Sequence, residues 1–273
     1  MIASRMTSPA AALALRGAGR RPSSSLPPTC ASIQYAILRY DLLHEEQATG
    51  LVLSIFVDVR ARMPFVPAIF KALARDPGAL ELAWLQARAL YDDPRAAEAT
   101  ARLAERARPG LAYRPSPAVR AAAGPFAADL PSLLLVVTSL GLSLDGVHPL
   151  RERPAPSLPA PAPLPPTPVG ELREEHPLYA EIRKVYGTEH VPSLYKALAA
   201  DGVLEEAWAG IGPFFDDPEG GRLVAELEAA AEREARAFPE YAYFAAEEAR
   251  SVLAQFRVAL PRNLVFATAA TAT

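Results

Sequence analysis

The stretch HVPSLYKALAADG, residues 190–202, repeats an earlier stretch of the chain, FVPAIFKALARDPG, residues 65–78. One residue is dropped, and the agreement then continues through a tryptophan in each copy to YDDP (91–94) and FDDP (215–218). Agreement over about thirty positions indicates an internal duplication. Because two copies are too few for a solenoid, we expect two tandem helical repeats that pack as an intramolecular pseudo-dimer with a cleft between them.

The pattern within each copy is helical, because apolar residues recur at steps of three and four. The aspartate of each DDP triplet is predicted to cap a helix whose first turn begins with the following proline. Gly78 and Gly202 are predicted to end short helices, as glycines often do. No stretch alternates with period two, so the sequence predicts an all-α fold with about five helices in each half.

Composition divides the chain into four segments. Residues 1–40 contain several arginines and no acid, which favours a disordered tail or a start assigned too far upstream, with a targeting peptide as the alternative. Residues 41–147 form the first predicted repeat and residues 171–273 the second. Between them, residues 148–170 are rich in Ala-Pro and Leu-Pro steps, which are typical of an extended polyproline linker.

Net charge, the length of the apolar runs, and the cysteine and histidine content exclude several classes of protein. The formal net charge of −3 provides no basic field for a nucleic-acid partner. The most apolar run, LPSLLLVVTSLGLSL (130–144), is shorter than the roughly 20 residues of a membrane span, so we predict a buried core helix and no membrane partner. Cys30 is the only cysteine, so nothing requires an oxidising compartment and we predict a cytoplasmic location. The four histidines lack metal-ligand spacing, so we predict no metal.

The repeated segments FVPAIFKALARDPGALELAW and HVPSLYKALAADGVLEEAW resemble the group I 2-haloacid dehalogenases, the DehI type, over roughly residues 46–272. The resemblance implies an all-helical tandem repeat with the active site between the halves. It also implies that a carboxylate of the second repeat activates a water molecule. That water displaces the halogen of small 2-haloacids of either hand, without a covalent intermediate and without a cofactor.

Comparison with this family pattern, residue by residue, exposes two departures. The catalytic aspartate of the family follows a serine, and here Ser193 matches the serine while Leu194 falls at the aspartate position. The asparagine that helps to hold the water falls on Ala127 or Leu130, depending on the alignment. A pocket aromatic is kept as Phe65. These five residues are therefore the predicted lining of the cleft.

Three hypotheses follow from these departures. In the first, dehalogenation is altered or lost, and the cleft binds a small organic acid or an apolar small molecule. In the second, the enzyme is active and His190 or Asp129 replaces the missing base; the structural alternatives are a histidine at a helix start and an N-cap before Pro131. In the third, the chain is a helical interaction scaffold without activity. A homodimer is an open alternative in each case.

Overall fold

The computed structural model of the protein describes residues 42–155, 157–165, 167, 172–188 and 190–273. The predicted N-terminal segment, residues 1–40, lies outside the described residues. The part of the chain that is described contains ten α-helices, four short 3₁₀-helices and no strand. This confirms the all-α prediction.

Five helices precede the proline-rich linker and five follow it. The first five are α1 (Gly50–Arg60), α2 (Ala68–Leu73), α3 (Pro77–Asp92), α4 (Pro94–Arg106) and α5 (Pro117–Leu144). The second five are α6 (Tyr179–Tyr186), α7 (Ser193–Ala200), α8 (Leu204–Ile211), α9 (Pro218–Ala235) and α10 (Arg250–Ala270). The 3₁₀-helices are Glu45–Gln47, Gly212–Asp216, Pro239–Tyr241 and Glu247–Ala249.

The linker carries no helix or strand in its described residues, 148–155, 157–165 and 167. Two arginines of the first five helices hold it: Arg60 donates from Nη2 to the carbonyl of Pro165 at 3.1 Å, and Arg88 donates from Nη1 to the carbonyl of Ser157 at 2.6 Å. The described helices and linker all belong to one compact unit, Ile37–Thr273. The repeat boundaries and the pseudo-dimer stay predictions.

The caps of α4 and α9 agree with the sequence pattern. Asp93 accepts a hydrogen bond from the peptide N–H of Arg95 at 2.8 Å, and Asp217 accepts one from Glu219 at 2.7 Å. In both helices a proline is the first helical residue. Its missing N–H costs nothing there, because the first N–H groups of a helix have no partner within the helix.

The two corresponding glycines behave differently. Gly202 has φ +70 and follows Asp201, the C-cap residue of α7, as predicted for a helix stop. Gly78 instead lies in the first turn of α3, where its N–H donates to Asp76 Oδ1 at 2.9 Å, so the prediction for Gly78 was wrong. The physical reason is the extra residue in this copy, Pro77, which starts a new helix directly after the capping aspartate.

Helix α5 is longer than its apolar run suggested, with 28 residues from Pro117 to Leu144. Pro125 and Pro131 lie inside it. Each removes one backbone hydrogen bond, yet burial of most of the helix outweighs the loss. Among the described helices, α5 alone is long and apolar enough to cross a membrane, but 72% of its most apolar window is buried within the protein, as in a core helix.

The core joins the two sets of helices, and α5 packs more extensively against α10 than against any other helix. Trp84 of α3 meets Phe70 edge-to-face at 5.4 Å, and Trp208 of α8 meets Tyr195 in the same way at 5.7 Å. These aromatic pairs fix α2 against α3 and α7 against α8. The starts of α2 and α7 thereby come to lie beside the middle of α5 and α10.

Candidate functional site

An inner cavity lies where the starts of α2 and α7 meet the middle of α5 and α10. Its volume is about 60 Å³, several times the roughly 10–15 Å³ that is needed to hold one water molecule. This space suits a molecule of a few heavy atoms, such as a small organic acid. The cavity is therefore of the size that the predicted ligand class requires.

The structure brings together at this cavity six of the seven residues that were predicted to line the cleft or to act as its base. Phe65, Asp129, Leu130, His190, Ser193 and Leu194 all line it. Ala127 is the exception: it is half-buried on α5 and packs against the core without lining the cavity. Of the two positions proposed for the missing asparagine, Leu130 is therefore the one that faces the site.

The two long walls of the cavity, α5 and α10, carry the same spacing around an interior proline, Pro131 in one and Pro261 in the other. A phenylalanine lies five residues before each proline and a leucine one residue before it. The positions two residues before and two residues after the proline differ between the walls. The corresponding lining pairs are Phe126/Phe256, Asp129/Ala259, Leu130/Leu260 and Leu133/Asn263.

Asp129 is the acid of the α5 wall. It lies in the interior of α5, because the helix continues through Pro131, so the alternative of an N-cap is wrong. Its Oδ2 is buried and has no hydrogen-bond partner among the described residues. Burial raises the pKa of its carboxyl group to about 6. A carboxylate with this pKa is ionised at neutral pH and still basic enough to accept a proton.

Asn263 is the amide of the α10 wall and was not predicted from the sequence. Its side chain is 7% exposed, and Oδ1 has no hydrogen-bond partner within the described part of the chain. A buried polar atom without a partner costs roughly 1–3 kcal/mol. The signal that could have found it is an asparagine directly before the apolar run LVFA (264–267) of α10, at the position that Leu133 occupies in α5.

His190 lies beside the start of α7 and lines the cavity. Burial and then the nearby charge of Lys196 lower the pKa of its imidazole to about 4. Its ring is therefore neutral at pH 7 and a weaker base than the carboxylate of Asp129. Of the two nominated replacement bases, the electrostatics favour Asp129.

The start of α7 is apolar at the position where the resemblance implies an acid. Leu194 is 2% exposed and lines the cavity, so its side chain makes this wall dry. Pro192 is the N-cap residue and provides no side-chain cap. Among the described residues, no group of three or more histidines, cysteines, aspartates or glutamates could hold a metal ion.

Solved D-2-haloacid dehalogenases share this fold. A mutant in complex with D-2-CPA superposes with a TM-score of 0.69 at 18% identity, over 85% of this chain and 95% of that chain. Another mutant structure, and the structure in complex with L-LA, superpose with the same TM-score and coverage at 19% identity. No protein-family model and no curated protein matches the sequence. At such identity the likeness establishes the fold alone.

Proposed function

We propose that the chain belongs to the 2-haloacid dehalogenase family and hydrolyses the carbon–halogen bond of a small halogenated carboxylic acid, with Asp129 as the general base. The observation that carries the proposal is the Asp129 carboxylate, which has an unpartnered oxygen and a pKa raised to about 6 inside a cavity of substrate size. Perturbed acids in small apolar cavities are typical of active sites. The solved structures of similar fold support the reaction class.

In the proposed reaction, the ionised carboxylate of Asp129 accepts a proton from a water molecule. The water oxygen attacks the carbon that bears the halogen, and the carbon–halogen bond breaks with its electron pair on the halide. Asn263 Oδ1 accepts the second hydrogen of the water and so holds it between the two walls. The product is a hydroxy acid, and the proton leaves Asp129 for solvent. The apolar rings of Phe65, Phe126 and Phe256 hold the carbon chain and exclude bulk water.

The test is release of chloride or bromide from both enantiomers of 2-chloropropionate and from bromoacetate. Asp129→Asn keeps the shape of the side chain and removes the base, so we expect a loss of roughly 10²–10⁴-fold in kcat. Asp76→Asn is the matched control: Asp76 is exposed outside the cavity, and asparagine caps α3 as well as aspartate does. An equal loss in the two variants, or no loss in Asp129→Asn, contradicts the proposal.

The pH dependence follows from the same carboxyl group. Because the base must be ionised, kcat/KM should rise about tenfold per pH unit up to the Asp129 pKa of about 6 and then level off. A rise in kcat/KM that levels off near pH 4 would point to His190 instead, since the pKa of its imidazole is about 4.

A second candidate is a binding protein that has lost the chemistry. Leu194, which is buried on the cavity wall at the position where the resemblance implies the base, favours it. Leu194→Asp assayed beside the unaltered protein separates the two. Halide release only after this substitution would support an intact cleft without a base. No halide release from either protein would favour ligand binding or the scaffold hypothesis.

We also propose that the reaction needs only water and no cofactor. From the composition we propose a cytoplasmic location and no nucleic-acid partner, while a homodimer stays an open alternative. Size-exclusion chromatography with light scattering tests the homodimer directly.

A further inference from the structure

An outer groove adjoins the inner cavity and shares part of its wall. The residues that line both are Phe65, Ala68, Phe126, His190 and Ser193. Lys71 and Lys196 line the groove at corresponding positions of the two copies, each about one helical turn after Ala68 and Ser193, respectively. The groove therefore places cations next to a cavity that, among the described residues, is lined by no lysine or arginine.

The two lysines differ in the partner that neutralises them. Lys71 Nζ lies 2.8 Å from Glu45 Oε1, and both side chains are mostly buried, with 20% and 17% exposed. Lys196 Nζ lies 2.5 Å from Glu174 Oε2, but here the lysine is 14% exposed and the glutamate 69%. Glu174 can thus leave its partner and be rehydrated at little cost, whereas Glu45 cannot.

We propose that Lys196 binds the carboxylate of the ligand in the outer groove, in the place that Glu174 takes in the free protein, while the apolar end of the ligand enters the inner cavity. This proposal deepens the proposed function by naming the residue that recognises the acid group. Only its link to dehalogenation rests on the proposed function. The ligand class is a small monocarboxylate with an apolar body.

The exchange keeps the charges balanced. A mostly buried ammonium needs a carboxylate partner, and the ligand supplies one when Glu174 moves into water. The other charged or titratable groups that face the groove are His44, Glu45, Glu46 and Lys71, besides His190. Since Lys71 remains paired with Glu45, Lys196 is the cation that an incoming carboxylate can reach by exchange.

The test is calorimetric titration of the full chain with propionate and with its uncharged analogue propionamide. In Lys196→Met we expect propionate to bind about tenfold or more weakly, because a charge-assisted contact is lost, and propionamide to bind within about twofold of the unaltered protein. In Glu174→Gln the internal competitor is gone, so propionate should bind about two- to fivefold more tightly. An ion pair with a purely structural role would not give effects of opposite sign.

Lys184→Met is the matched control, because Lys184 is exposed on α6 and does not line the groove; its affinity for propionate should not change. The proposal is overturned if the unaltered protein does not bind propionate, if Lys196→Met binds it normally, or if Glu174→Gln binds it more weakly. Halide release has no part in this titration. If the protein binds propionate as expected but releases no halide, Lys196 keeps its role and the proposed reaction fails. If it releases halide but the titration fails, the proposed reaction stands and the role of Lys196 is rejected.

Discussion

The two walls of the inner cavity, α5 and α10, agree in their packing residues and differ in their polar ones. Both have an interior proline, a phenylalanine five residues earlier and a leucine one residue earlier. Only α5 has an acid two residues before the proline, Asp129, and only α10 has an amide two residues after it, Asn263. Packing constrains both walls alike, and the proposed reaction assigns its polar roles to two of the positions that differ.

The same comparison applies to the duplicated tryptophans. Trp84 donates from Nε1 to Asp58 Oδ2 at 2.9 Å, a buried contact, and Asp58 is also paired with Arg62 at 2.7 Å. Trp208 donates to Glu181 Oε1 at 2.9 Å, but Glu181 is exposed. The duplicated rings keep one packing role, while the polar partners differ in how much water reaches them.

The largest effect is expected from moving the acid between the walls. Asp129→Ala should lower halide release roughly 10²–10⁴-fold. Adding Ala259→Asp to that variant should not restore release, because the carboxylate would then share its wall with Asn263 and no longer face it. Steady-state kinetics of the single and double variants measure this. Full recovery in the double variant would show that the two walls are interchangeable.

The next largest effect is expected from substitutions of the two tryptophans. Trp84→Phe leaves a buried gap and removes a donor from the buried Asp58, so we expect a loss of about 2–3 kcal/mol in the free energy of unfolding. Trp208→Phe leaves only an exposed carboxylate without its donor and should cost about 1 kcal/mol less. Denaturation with urea measures both. Equal costs would mean that the polar partners contribute nothing to the difference.

The effect of Asp129→Asn on stability should depend on pH, because the unaltered protein carries a titrating carboxyl group at this position. The carboxyl pKa of about 6 in the folded protein exceeds its ordinary 3.8, so the folded state binds the proton more tightly and stability falls as pH rises between these values. Allowing for partial exposure, the full cost above pH 6 is about 1–2 kcal/mol.

Replacing Asp129 by asparagine removes that cost. The variant should therefore be about 1–2 kcal/mol more stable than the unaltered protein at pH 8 and no more stable at pH 4. Thermal unfolding at the two pH values measures the difference. A gain of the same size at both would assign it to packing rather than to the charge.

The smallest expected effect is the difference in stability between alanine substitutions at the two glycines. Gly202→Ala forces a side chain into a backbone with φ +70 and should cost about 1 kcal/mol. Gly78→Ala lies in a helix and meets only Asp76 Oδ1, 3.3 Å from the added carbon, so its effect should stay within about 0.5 kcal/mol. Unfolding midpoints rank the pair, and equal midpoints would contradict the assignment.

Much of the architecture could be predicted, because helices leave a local signal. The three- and four-residue periodicity, the capping aspartates and the apolar run of α5 predicted the all-α class, two of the helix starts and one buried helix. The extent of α5 could not be predicted, since Pro125 and Pro131 are local signals to stop. Burial against α10, which involves residues far apart in the chain, overrides them.

By itself, the sequence determined the helical class, the duplicated segments and six of the residues that line the inner cavity, because each of these depends on short-range spacing or on direct similarity. Only the tertiary structure decided which polar groups lie in that cavity without partners. Whether Asp129 is basic and whether Asn263 lacks a partner depend on the water that α5 and α10 exclude together. Desolvation is a property of packed neighbours, and no single segment of the chain carries it.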